Sequence, residues 1–435
     1  MHHLTLFLPC AAGVEDFLAD EVHGLLGLVG QDLLTVRAGV RARTDWPGVL
    51  RLNLHCRLAQ RVLIEVAHGH YRDESELYAL ASNVAWEDWF TPRQSFRIEL
   101  TAQHSPLKSL NFATLRIKDA VADRFRRDSG IRPSIDTHQP DVRLHAHLTP
   151  DAATLYVDTS GEPLFKRGWR QDKGDAPLKE TLAAAMLAAS GWWQPATRSV
   201  QDVPLYDPCC GSGTIVIEAA QIKLGLAAGR QRRFGFEHLK LFDRASWNAM
   251  KEENSSQKAE AAADSRSIQV FGSDVAHRMV DFAQRNAERA GVAHAVQLRG
   301  GDALQRMPPI DHPGVIVMNP PYGERIAAAG VAGRGREAFQ SGTLARARSG
   351  DGATELDAGD DFFRQLSAHW KTHFAGWTAW LLTPDLKLPA RLRLKESRRV
   401  PMWNGPIECR LFRFELTARV RQDGPERPDT APESA

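Results

Sequence analysis

The apolar positions of the first 160 residues switch repeatedly between alternation and a helical stripe. "LTLFLP" (4–9) and "RVLIEVA" (61–67) are rich in β-branched and aromatic residues and read as strands, as does "FRIEL" (96–100). "VEDFLADEVHGLL" (14–26) places Val14, Phe17, Leu18, Val22 and Leu25 on one side of a helix. "LRIKDAVADRFRRD" (115–128) sets Ile117, Val121 and Phe125 four apart, with arginines on the other side. "DVRLHAHLTPDAATLYVDTS" (141–160) alternates on both arms about Pro150-Asp151, a hairpin pattern. These elements predict an α+β unit carrying a basic helix on one edge.

Residues 161–180 are rich in Gly, Pro and charge and read as a linker. Beyond them the period changes again. Helical patterns at 178–190, 214–224, 275–290 and 360–374 alternate with short apolar runs: "VPLYDP", "IQVFGSD", "AVQLRGGDA", "GVIVMNPP" and "GWTAWLLTP". Such βαβ alternation predicts a parallel, doubly wound sheet. "RRVPMWNGPIECRLFRFEL" adds two strand-like runs around Asn404-Gly405, a hairpin signal. A parallel sheet ending in an antiparallel hairpin is the outline of a Rossmann-like methyltransferase rather than of a dehydrogenase. Residues 327–358 have no period and read as a loop, and 418–435 as a disordered polar tail.

Composition narrows the class. The chain has 435 residues, 43% hydrophobic and 25% charged, as in globular proteins of more than one domain. No apolar run reaches the ~18 residues of a membrane helix, and the N-terminus lacks a secretory pattern, so a soluble cytoplasmic protein is expected. Five scattered cysteines lack zinc or disulfide spacing and read as reduced thiols; no metal site is expected. With a net charge of only +2, affinity for nucleic acid has to come from a local patch. Lys108, Arg116, Lys118, Arg124, Arg126, Arg127 and Arg132, set against Asp119, Asp123 and Asp128, form one candidate. Taken alone, this segment is equally a solvated helix face.

Ligands of open α/β sheets bind at the carboxyl ends of the strands, so the residues leaving each strand are the candidate site. The first strand leaves as "DPCCGSGTIVIEAA": Asp207 closes it, Gly211 and Gly213 permit close backbone approach, and Thr214 opens a helix. A third glycine at dinucleotide spacing is missing, and a carboxylate here suits a cationic ligand. Asp274 in "FGSD" is placed for the ribose hydroxyls of an adenosine, and Asp302 in "GGDA" for an adenine amine. Each acid alone is equally a helix cap or a loop residue; three at successive strand ends form a pattern.

The fourth strand, "VIVM", stops at Asn319-Pro320-Pro321-Tyr322. The Asn319 amide oxygen and the Pro320 carbonyl can both accept from an exocyclic amine, because consecutive prolines remove two backbone donors and fix the carbonyl directions. Tyr322 offers a face on which a base can stack, a contact worth ~1–3 kcal/mol.

"DPCCGSGTIVIEAA", "NPPYGER", "FKRGWR…APLKETLAAAML" and "NGPIECRLF" together resemble the THUMP-containing, S-adenosylmethionine-dependent RNA guanine-N2 methyltransferases, specifically the bacterial 23S rRNA group. The likeness spans roughly residues 4–416. It implies a ferredoxin-like segment (1–44), a THUMP RNA-binding domain (45–158), a linker (159–177) and a class I methyltransferase domain (178–417). It also implies that Asp207, Gly211 and Gly213 bind the methionine part of S-adenosylmethionine, Asp274 its ribose and Asp302 its adenine, with Pro208 and Thr214 also in the cofactor site. Asn319, Pro320, Pro321 and Tyr322 would then position the guanine. "NFATLRIKDAVADRFR" resembles the THUMP helix, which makes Lys108, Arg116, Lys118, Arg124, Arg126 and Arg127 the expected RNA contacts. The stretch around Leu178 and Lys179 would border the donor pocket.

The implied reaction is direct methyl transfer to guanine N2 in 23S rRNA or a large-subunit precursor, on a base out of its helix. It needs no metal and no cysteine nucleophile. Some relatives carry a second methyltransferase domain; this chain ends after the first, so one activity is expected. The rivals are an adenine-N6 methyltransferase, a tRNA guanine-N2 methyltransferase and a non-catalytic RNA-binding assembly factor.

Overall fold

The computed structural model describes residues 3–174, 177–262, 269–320 and 352–417, apart from the side chains of 254–262 and 352–360. Pro321, Tyr322, the tail 418–435 and the expected loop up to residue 351 lie outside the described residues.

The first half builds a seven-stranded sheet from β1 (Leu4–Pro9), β2 (Leu33–Val36), β3 (Gly39–Thr44), β4 (Leu63–His70), β5 (Phe96–Ala102), β6 (Val142–Leu148) and β7 (Ala152–Asp158), in the order β2-β3-β1-β4-β7-β6-β5. All neighbours are antiparallel except β5 and β6. Helices α1 (Glu15–Leu26), α2 (Trp46–His55), α3 (Glu74–Ser82) and α4 (Leu110–Ser129) accompany the sheet. Their ends follow local chemistry: Asp45, Asp73 and Ser109 cap α2, α3 and α4, and left-handed Gly27 and Gly130 close α1 and α4. Leu18, Val22 and Leu25 of α1 and Ile117, Val121 and Phe125 of α4 are buried, as their spacing requires. The pairing of Leu6 with Ile64 makes the sheet continuous across residue 44.

The 159–177 connection is closely packed rather than a solvated spacer: Leu164, Arg167 and Trp169 are each 1% exposed. It leads into α5 (Glu180–Ala189), whose residues are all buried. The alanines of "ETLAAAMLAA" leave room for α6 (Thr214–Lys223) and α1 beside it. A two-stranded ribbon of β8 (Trp193–Gln194) and β9 (Ser199–Val200) follows.

The second sheet contains β10 (Leu205–Asp207), β11 (Val270–Asp274), β12 (Val296–Gly300), β13 (Val315–Met318), β14 (Thr378–Thr383), β15 (Glu396–Asn404) and β16 (Ile407–Glu415), ordered β12-β11-β10-β13-β14-β16-β15. The first five are parallel; β16 and β15 are antiparallel. Helices α7 (Arg244–Ala262), α8 (His277–Arg289), α9 (Gly352–His373) and α10 (Leu388–Leu392) complete the domain. Helix α9 starts inside the stretch expected as loop to residue 358, because Gly352 and the residues after it join the helical pattern of 360–374. The final turn is centred one residue later than the Asn-Gly signal. Asn404 pairs with Ile407, so Gly405 (φ 64°) and Pro406 form the two-residue loop. Gly first and Pro second satisfies a turn that needs positive φ only at its first central residue.

Outward growth from β10 through β11 to β12, followed by a return to β13 on the other side of β10, places the switch point between β10 and β13.

Candidate active site

Strand register fixes the heights of the four polar strand-end residues. Asp207 pairs with Gly272, so Asp274 lies two residues further along; Asp274 pairs with Gly300, so Asp302 lies two further still. Tyr206 pairs with Ile316, which places Asn319 two residues past the level of Asp207, about 6–7 Å along the strand direction. Across the sheet the order is Asp302, Asp274, Asp207, Asn319.

Asp207 is 2% exposed and, among the described residues, accepts a hydrogen bond from the Cys209 amide at 3.0 Å. Burial, and then the nearby Asp274 charge, push its carboxyl well above the usual carboxylate range. Its remaining acceptor capacity suits a cation. Asp274 receives the Gly211 amide at 2.9 Å and the Ala276 amide at 2.9 Å, so it fastens the glycine loop and the turn that leads into α8. Burial raises its carboxyl as well. Asp302 accepts from the Leu304 amide at 2.9 Å. Both the loop and the ligand reading of these acids are therefore open to the same side chains: each retains lone pairs beyond its backbone bonds.

Gly211 has φ 53°, and a Cβ there would meet nothing within 4 Å. The loop surface is open at this point, as a cradle for a ligand requires. Gly213, at φ 89°, instead presses against α8: its Cβ would fall 3.0 Å from the Ala283 Cβ. Behind the loop, Tyr206 and Ser273 share a buried 2.7 Å hydrogen bond, and the Cys210 amide donates to the Ser273 carbonyl at 2.9 Å. Burial and the neighbouring carboxylates raise the Cys209 and Cys210 thiols well above their ordinary value. Neither is poised as a thiolate.

Three residues that sequence reasoning missed hold this loop. Buried Asn286 of α8 donates to the Ser212 carbonyl at 3.0 Å and to the Asp172 carbonyl at 2.8 Å. Asp172 lies between Arg285, at 2.9 Å, and Arg289, which keep its carboxyl low, at about 2. Arg170 donates to the Thr214 hydroxyl at 2.6 Å and pairs with Glu180 at 2.8 Å. Thr214, expected to touch the cofactor, is thus 5% exposed and engaged by Arg170. The only sequence trace of this lock is the density of Arg and Asp in 167–173.

On α4 the basic patch is largely paired. Lys118 and Arg132 meet Asp119, at 2.8 and 3.1 Å; Arg124 meets Glu87 and Asp128; Arg126 meets Asp123 at 3.4 Å and Arg127 meets Asp128 at 3.2 Å. Arg116 lies over the Tyr78 ring at 4.5 Å, and Lys108 and Phe112 are both exposed.

Comparison with known proteins bears on the whole arrangement. Residues 5–63 match the RlmL ferredoxin-like domain, 71–158 the THUMP domain, and 167–338 the RMKL-like methyltransferase domain. The chain thus carries, in order, an RlmL-type ferredoxin-like domain, a THUMP domain and an RMKL-like methyltransferase domain. It is 32% identical over 418 residues to the ribosomal RNA large subunit methyltransferase K/L of Psychromonas ingrahamii, covering 96% of this chain and 51% of that protein. The chain therefore spans about half the length of the curated relatives it matches. Among solved structures, it resembles SMU.472, named a putative methyltransferase and solved with SAH, at 26% identity and a TM-score of 0.78, over 97% of this chain and 100% of that one. It also resembles a predicted N6-adenine-specific DNA methylase from Listeria monocytogenes, at 26% identity and a TM-score of 0.75, covering 95% of this chain and 96% of that one.

The methyltransferase domain and the neighbour solved with SAH give S-adenosylmethionine as the cofactor, and the donor set fits it: a buried carboxylate for a cation at Asp207, further acids on the next two strands, and an open glycine turn at Gly211. Among the described residues no helix is long and apolar enough to cross a membrane, and no group of three or more His, Cys, Asp or Glu side chains could hold a metal ion.

Proposed function

We propose that the protein transfers a methyl group from S-adenosylmethionine to the exocyclic N2 of a guanine in 23S rRNA. The observation that carries this reading is the position of Asn319, at the end of the strand beside β10 and two residues past the level of Asp207. The bound cofactor supplies an electrophilic methyl group on a sulfonium, which needs no further activation.

The chain's own residues do the rest. Asp207 accepts the ammonium of the methionine part, and Asp274 and Asp302 accept from the ribose and the adenine. The Asn319 amide oxygen and the Pro320 carbonyl accept the two N2 hydrogens, which turns the nitrogen lone pair toward the donor and contributes chiefly through orientation. Pro321 and Tyr322 are assigned to holding the base. The proton lost from N2 leaves past Asn319 to solvent. The rRNA substrate is favoured by the name of the Psychromonas relative and by the shared THUMP domain.

The test is nucleoside mass spectrometry after incubation with labelled S-adenosylmethionine and separate pools of unmodified 23S rRNA and tRNA, with Asn319→Ala in parallel. Labelled N2-methylguanosine in the rRNA pool, lost in the variant, is the expected result. Label in tRNA moves the substrate, and label on adenine overturns the base assignment.

A further inference from the structure

A cleft of about 520 Å³ opens where residues 162–173 and 177–180 lie against residues 231–233. The close approach depends on Gly168 (φ 102°), whose Cβ would lie 2.6 Å from the Gln231 carbonyl oxygen. Seven cationic side chains and two carboxylates line the cleft. Both carboxylates are neutralised within the fold: Glu162 pairs with Lys166 and with Arg143 at 2.7 Å, and Glu180 with Arg170 at 2.8 Å. Two of the cations, Arg167 and Arg232, are tied to backbone carbonyls around them.

No described carboxylate pairs with Lys173, Lys179 or Arg233. Lys173 and Arg233 are exposed, and the Lys179 ammonium sits 5.1 Å from the centre of the Phe165 ring, which leaves N–H donors free to turn outward. The cleft is thus a concave site with three positive charges that no described carboxylate pairs, over a partly apolar wall. Arg170 joins it to the cofactor loop: its guanidinium lines the cleft and also donates to Thr214, the residue after Gly213.

We propose that this cleft holds the phosphodiester backbone of the substrate RNA strand next to the target nucleotide. The inference rests on the reading of the protein as an RNA methyltransferase and adds a contact outside the THUMP domain. Its volume falls within the ~300–1,000 Å³ of small-ligand sites, room for about one or two nucleotides of single strand rather than for a duplex. That matches a base presented out of its helix. Three cations without a described carboxylate partner also exceed what the single carboxylate of the cofactor can satisfy, which favours a polyanion. On α4, by contrast, most of the charges are paired.

The test is equilibrium binding of the full chain to fluorescently labelled single-stranded fragments of 23S rRNA, from about 50 to 200 mM salt. Each phosphate contact contributes about 0.7 to the slope of log affinity against log salt for a single strand, so Lys173→Ala/Arg233→Ala should flatten the slope by about 1.4. Lys173→Arg/Arg233→Lys should keep it. Both side chains are exposed, so thermal unfolding should be unaltered, and S-adenosylmethionine affinity by calorimetry should match the parent. An unchanged slope in the alanine variant, with parental RNA binding intact, overturns the cleft assignment and leaves the RNA reading standing. Loss of S-adenosylmethionine affinity with an unchanged RNA slope overturns it in favour of the cofactor. A parent protein that binds neither rRNA nor tRNA removes both readings.

Discussion

The Gly211 amide donates to the Asp274 carboxylate at 2.9 Å, joining two loops that leave adjacent parallel strands. The same carboxylate accepts from Ala276 at 2.9 Å, so one side chain sets the glycine turn and the turn that leads into α8 together. Asp274→Asn presents an NH₂ group to one of these two amides. A hydrogen bond to a charged acceptor is worth ~1.5–3 kcal/mol, so S-adenosylmethionine affinity should fall by roughly ten- to a hundredfold. Isothermal titration calorimetry measures it; parental affinity in the variant would show that Asp274 neither shapes the site nor touches the cofactor.

Asp207 gives the cofactor site a pH dependence of predictable sign. Its carboxyl is raised well above the ordinary range by burial and by Asp274, so in the free protein it holds a proton to unusually high pH. A cationic ligand needs the ionised form. Affinity should therefore weaken as pH falls through the raised value, and binding should release a proton. The stability effect runs the other way. The neutral form is the favoured one in the folded state, so the protein without cofactor loses stability as pH rises through that value, and cofactor restores it. Calorimetry in buffers of different ionisation enthalpy detects the released proton, and Asp207→Asn should abolish that component.

The strand ends were legible because each breaks a simple pattern: a buried apolar run closes on Asp207, Asp274 or Asn319, where a bland terminator would serve. Period alone placed α1, α4, α6 and α8 and the strands of the second sheet. Buried polar partners were not legible. Asn286 reaches the Ser212 carbonyl across 74 residues and Arg57 reaches Glu218 across 161, and no local period encodes which distant group completes a buried hydrogen bond. The α4 patch illustrates the same limit. Its aspartates were visible within the helix, but the partner of Arg124 on another element, Glu87, was not. The strands β2 and β3 and the helices α2 and α3 were also not read: β2 is only four residues long, and α2 is buried at Gly48, Val49, Leu50, Leu52, Asn53 and Leu54 rather than along one stripe.

The two loop glycines should separate in a variant series. Both have positive φ, which alone costs an alanine ~1–2 kcal/mol. A methyl group at Gly211 enters open space, whereas at Gly213 it meets the Ala283 Cβ at 3.0 Å and the Ile217 Cδ1 at 3.1 Å. Gly213→Ala should therefore lower the melting temperature more than Gly211→Ala. Gly211→Ala should act mainly on cofactor affinity, since its methyl group would project into the open cradle. Equal melting temperatures would refute the assignment of Gly213 to helix packing.

Glu218 of α6 lies at the junction of the two halves of the molecule. It accepts from Arg57 at 2.9 Å and from Arg167 at 3.1 Å, and all three side chains are buried. Arg167 also donates to the Arg57 carbonyl at 2.8 Å, and Glu21 accepts the Arg57 and Leu58 amides at 2.7 and 2.9 Å. Burial opposes ionisation of Glu218, but the two guanidiniums overcome it and hold its carboxyl below the ordinary value. Glu218→Gln leaves two buried guanidiniums without their counter-charge, a loss of the kind that costs ~3–5 kcal/mol. Because the folded pKa is depressed, this stabilisation is present above the unfolded value, near ~4.3, and is lost as pH falls through the folded one. The gap in thermal stability between parent and Glu218→Gln should therefore be full at neutral pH and should close in acid. A gap that is independent of pH would mean that packing, and not the carboxylate charge, joins the methyltransferase domain to the N-terminal half.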